Sequence, residues 1–194
     1  YQMKIKVLAT MMFLLPAVLF ASSYFPQFYH MYKPEVGQWS KYEMVDSSGQ
    51  KALITVSVVG KDKDSFWIEI ESTIQGETGL AAFLVSGDPT DDSNVLKVRL
   101  RSGDGPIIEI DKQTLGKLKA SQQSVSTAFG IGPTTGKLQG MPDEKVQVGA
   151  KTLACSRVKL VSQDGRSADV WLNEDVSPFG VVKLLSGEES LTLL

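Results

Sequence analysis

A single histidine and a single cysteine among 194 residues exclude whole classes of chemistry. His30 alone cannot build a histidine metal cluster, and with Cys155 alone neither a structural zinc site nor an internal disulfide can form. A serine nucleophile would have to use His30 as its base, and no strand-to-helix serine elbow accompanies it. No catalytic set, metal site or cofactor is therefore assigned, and the expectation is a protein that is not an enzyme. Cys155 itself reads as a small buried apolar residue. The sharper alternative, a reactive thiol beside Arg157 and Lys159, requires exposure.

An excess of basic charge is absent too: 20 Lys and Arg stand against 22 Asp and Glu, a formal charge of −2. Such a chain offers no basic field for phosphate backbones, so nucleic acid is not an expected partner. Also missing is the run of about 20 apolar residues that a membrane-crossing helix needs. The chain instead has Lys4 and Lys6 followed by an uncharged 14-residue run from Val7 to Phe20, which contains Pro16 and ends in Ala21, Ser22 and Ser23. A positive end, a short apolar segment and small residues predict a signal peptide over 1–23, cut before Tyr24 or, alternatively, before Ser22. The expected address is periplasmic or secreted, with a mature protein that does not span the membrane. No cysteine stands at the cut for lipid attachment. Residues 1–23 carry two lysines and no acids, so without them the formal charge falls from −2 to −4.

Residues 24–35 gather Tyr24, Phe25, Phe28, Tyr29 and Tyr32 around His30 and read as an aromatic N-terminal tail. Residues 36–194 read as a single β-rich domain, because their dominant period is two. Phe66, Ile68 and Ile70 alternate with Trp67, Glu69 and Glu71; Leu96, Val98 and Leu100 alternate with Lys97, Arg99 and Arg101. Further strands are predicted at 38–45, 52–59, 107–111, 153–161, 168–172, 181–185 and 191–194. Turn signals at Ser48-Gly49, 60–64, 103–105, Asp164-Gly165 and Ser186-Gly187 leave only short links between them. Such links are too short for parallel crossovers, so an antiparallel sheet is predicted.

Two regions depart from that period. Behind Asp111, a predicted N-cap, Leu115 and Leu118 fall on helical spacing within 112–129, despite Gly116. Residues 130–140 carry Pro133 and several glycines and are predicted to be a loop, as is the stretch 87–93. Gly130 to Leu138 approaches a phosphate-binding loop, but the first required glycine falls on Ile131 and the Ser/Thr position is Leu138. Asp88, Asp91, Asp92 and Asn94 share one loop and could ligate calcium, although their spacing fits no EF-hand and turn chemistry explains them. Glu69/Glu71 and Glu188/Glu189 read as wet faces.

The blocks from Leu84 to Asn94, Ala154-Cys155, and Val170 to Lys183 resemble those of exported bacterial proteins similar in strand order to the LolA/LolB-like lipoprotein carriers. The resemblance spans 37–194 and implies fold before function. It implies a mainly β fold: a strongly curved antiparallel sheet, a half or unclosed barrel, with one or two helices covering the concave side. It further implies a hollow that holds acyl chains. Candidate ligand-lining residues on such a face are Ile54, Val56, Val58, Phe66, Ile68, Ile70, Leu96, Val98 and Leu100. These same residues would equally fill a closed core. The leading expectation is a periplasmic binding domain for a lipid, a lipoprotein or another hydrophobic ligand. The alternative is a cell-envelope structural or interaction module with a dry core, whose exposed Trp39, Trp67 and Trp171 dock an envelope protein.

Overall fold

Alternation of apolar and polar side chains carries straight into the architecture. In the computed structural model, which describes residues 34–87, 92–114, 136–162 and 167–194, eleven strands form one antiparallel sheet. They are β1 (Trp39–Val45), β2 (Lys51–Asp62), β3 (Ser65–Ile74), β4 (Glu77–Val85), β5 (Val95–Ser102), β6 (Ile108–Asp111), β7 (Gly136–Val148), β8 (Lys151–Ser162), β9 (Ser167–Leu172), β10 (Val181–Ser186) and β11 (Glu189–Leu193). The signal segment 1–23, the aromatic stretch to residue 33, Leu115 and Leu118 lie outside the described residues.

Every strand pairs with its neighbour in the chain except β6 with β7, and β1 pairs with β11. Among the described strands the pairing is thus continuous from β6 to β7 and breaks between these two, which are the sheet's edges. Hairpins make the links, as at Gln75-Gly76, where both residues take positive φ (52° and 86°) between β3 and β4. That left-handed pair matches the twist of the strands it joins, and glycine supplies its second position without steric cost.

Register ties one apolar face together across the sheet. Ile54, Val56 and Ile70 continue through Ala81, Phe83 and Val98 on one side of β1; Tyr42 and Met44 continue through Leu191, Leu184 and Val170 on the other. These residues form the main buried cluster. Tyr42, on β1, reaches past β11 to donate its hydroxyl to the Val181 carbonyl at 3.0 Å. Burial pushes its phenol well above the ordinary range, a shift that a Ser40 hydrogen bond partly offsets. On this same face Ser72 is buried, and its hydroxyl has no hydrogen-bond partner among the described residues.

Two predicted assignments are corrected. Residues 77–85 were not expected as a strand, yet they form β4, in which Ala81 to Val85 are buried on both faces. Gly136 to Gly140, expected as loop, begin the long edge strand β7. There Pro142 sits in a bulge that skips Pro142 and Asp143 between Met141 and Glu144, the edge position a residue without an N–H tolerates. Among the described residues helix is confined to a 3₁₀ turn at Asp92–Asn94 and a turn at 112–114. The Asp111 carboxylate accepts the Thr114 N–H at 2.8 Å, so the predicted N-cap forms.

Candidate functional site

Three places on the sheet gather side chains able to meet a ligand or partner. The first is the apolar face. Ile54, Val56, Val58, Ile68, Ile70 and Val98 are all buried there, and Leu100 is partly so. Phe66 is half-buried beneath the Lys61 ammonium, 5.2 Å from its ring centroid. Leu96 is the extra residue of a bulge, since Val85 faces Val95 and Leu84 faces Lys97. The sheet therefore brings the predicted lining residues to one region but fills most of that region with their own contacts.

Exposure returns at the break. Ile108 and Ile110 on β6 pair with Leu100 and Val98, so they face the apolar side, and Ile108 remains 37% exposed. At the other edge, Leu138 on β7 pairs with Leu160, which pairs with Ala168 on that same side; Leu138 is 54% exposed. Apolar side chains at both unpaired edges thus meet solvent on the face that elsewhere is sealed.

The second place is the opposite face, over β3 to β5, where a groove of about 460 Å³ opens. Small Ala82 forms part of its floor, because register sets Ala82 between Glu69 on β3 and Arg99 on β5. Leu80 lies likewise between Glu71 and Arg101. Trp67 and the exposed Ile107 complete the walls. Arg99 stacks over the Trp67 ring at 4.1 Å from the centroid, and its Nε donates to Glu109 at 2.8 Å. That guanidinium, with help from Lys97, holds the Glu109 carboxyl below its usual range. Burial in the groove raises the Glu69 carboxyl, Glu71 adds to the rise, and Arg101 opposes it. Glu69 and Glu71, expected as wet strand faces, are half-buried walls instead.

The third place surrounds Trp171, expected to be an exposed docking residue and found 5% exposed. Its indole N–H donates to Glu144 at 2.9 Å, while Arg157 and Lys183 lie 4.8 and 5.1 Å from its ring. Arg157 also binds Asp169 at 3.0 Å and Glu144 at 3.4 Å. Trp171, Val176, Val182 and Cys155 form a second buried cluster. Burial pushes the Cys155 thiol up, away from the reactive thiolate, in keeping with its reading as a small apolar residue.

Neither groove wall was legible as a site, because Ala82 and its charged flanks come together only through register. Among the described residues no group of three His, Cys, Asp or Glu side chains is placed to hold a metal ion. Nor is any helix there long and apolar enough to cross a membrane. No protein-family model matches the chain, and no curated protein matches it.

Proposed function

We propose that this is an exported, periplasmic, non-enzymatic binding domain that carries a lipid, a lipoprotein or another hydrophobic ligand, entering at the break between β6 and β7. The observation that carries this reading is the pair of exposed apolar residues, Ile108 and Leu138, on the apolar face at the two unpaired edges. The reach of Tyr42 across β11 to Val181 supports a strong curl of the sheet, the half-barrel form that the LolA/LolB-like resemblance implies. Each methylene of an acyl chain moved from water into apolar surroundings gains about 0.8 kcal/mol. A protein that ferries such chains through water must enclose them, and a core whose apolar face reaches solvent at the edges β6 and β7 can admit them there. The closed packing of Ile54, Val56 and Val98 is then the empty state.

A second reading, a dry-cored interaction module of the cell envelope, draws on one specific feature: Trp39 is 62% exposed on the opposite face. Titration of the full chain with an environment-sensitive apolar fluorophore separates the two. The carrier reading expects saturable binding that Leu138→Glu and Ile108→Glu weaken by about tenfold or more, while Trp39→Ser leaves it unchanged. Absence of saturable binding, or indifference to both edge substitutions, sinks the carrier and leaves the interaction module.

A further inference from the structure

The groove over β3 to β5 is walled by charges of opposite sign held apart. Glu69 and Glu71 stand on β3, Arg99 and Arg101 on β5, and β4 between them offers only Ala82 and Leu80. Two strand spacings separate the walls, about 9.6 Å. Among the described residues no nitrogen–oxygen contact within 4.0 Å joins them. Arg99 is held off by Trp67 and Glu109, which occupy its ring-stacking face and its Nε. The Arg101 guanidinium makes no hydrogen bond to any described residue. Four charged groups are thus arranged around a cavity without neutralising one another directly.

The chemistry of the walls selects the ligand. An anion alone would meet Glu69 and Glu71, and a cation alone would meet Arg99 and Arg101, each with a repulsive wall on one side. A ligand carrying both charges satisfies both walls. An ammonium-to-carboxylate contact and a carboxylate-to-guanidinium contact take about 2.8 Å each, and the two charges of an α-amino acid lie about 3 Å apart, lengths of the same order as two strand spacings. The volume of about 460 Å³ also falls within the range of small-ligand sites. Trp67, Ile107 and Leu80 add an apolar border to the charged walls.

We propose that this groove binds a free α-amino acid with an apolar side chain. Glu69 and Glu71 take its ammonium, Arg101 and the terminal nitrogens of Arg99 take its carboxylate, and Trp67 with Ile107 covers its side chain. The site lies on the opposite face from the β6–β7 break and stands or falls independently of the carrier reading.

Calorimetry on the full chain with leucine, N-acetyl-leucine and leucine methyl ester tests it. Leucine should bind saturably in the millimolar range or tighter, and each capped form, which lacks one charge, should bind about tenfold more weakly or worse. Arg101→Gln should weaken leucine by a similar factor while binding the cationic methyl ester no more weakly, and more tightly where the repulsion is relieved; Glu71→Gln should do the converse with the anionic N-acetyl-leucine. Both positions are partly exposed, and retained cooperative unfolding shows that the variants fold. No saturable leucine binding, or a loss confined to one capped form, overturns the proposal.

Discussion

Trp171 and Trp67 sit on the same face of one sheet, each beneath an arginine, yet one is sealed and the other opens onto a groove. Register explains the difference. The partners directly beside Trp171 are Arg157 and Lys183, two long cationic side chains that lie over its ring from the neighbouring strands, and Glu144 takes its N–H. Those beside Trp67 are Gly60 and Leu84. Gly60 has no side chain to lay against the ring, and a Cβ placed there would meet Trp67 at an ordinary 3.8 Å. The first arrangement spends its charges on one another through Arg157, Asp169 and Glu144, whereas the second leaves Arg101, Glu69 and Glu71 facing space. Equal residue types thus yield a structural nest in one half and an open site in the other, and the neighbouring strands decide which.

The largest expected effect tests that contrast in stability. Trp171→Ala should cost about 3–5 kcal/mol, the loss of a buried aromatic with its hydrogen bond. Trp67→Ala should cost less, about 1–2 kcal/mol, because its ring is partly exposed and packs beside Gly60. Urea unfolding of both variants measures the two costs, and similar values would break the comparison.

A smaller effect sharpens it through pH. Burial first, then repulsion from Glu71, raises the Glu69 carboxyl; the other charged groups facing it are Arg99 and Arg101, of which Arg101 opposes the rise. Since its folded-state pKa lies above the unfolded value, the stability tied to neutral Glu69 is complete below the ordinary carboxylate range. It is lost as pH rises through the raised folded value. Glu69→Gln should therefore gain on the wild type as pH climbs from strongly acidic to neutral, with most of the change just above the ordinary range. Solvent screening keeps this effect the smallest. Paired unfolding curves across that window measure it, and a difference that is flat, or that grows toward acid, would show that the groove does not strain this carboxylate.

Much of the sheet is legible in the sequence wherever a strand has one wet and one dry face. Phe66, Ile68 and Ile70 against Trp67, Glu69 and Glu71 is such a case, and β3 follows it. β4 escapes this reading because Ala82 and Leu84 are buried as well as Ala81, Phe83 and Val85, which turns alternation into a plain apolar run. β7 escapes for the opposite reason: an exposed edge strand with Gly136, Gly140 and Pro142 carries loop-like composition. Without β4 and β7 neither the groove floor nor the break can be located, although the charged walls and Leu138 are visible as residues. Asp111, by contrast, acts within three residues of itself, and its cap is readable from local sequence alone. Long-range pairing separates what is legible from what is not.

The central claim is that the apolar face opens to a hydrophobic guest at the β6–β7 break. Native mass spectrometry of the protein, exported and purified without detergent, tests it most directly by weighing the intact protein before and after extraction with organic solvent. The account predicts an added mass of an acyl-containing molecule that disappears on extraction and is much reduced in Leu138→Glu. A protein that carries no such mass, or one whose bound lipid is indifferent to Leu138→Glu, would contradict it.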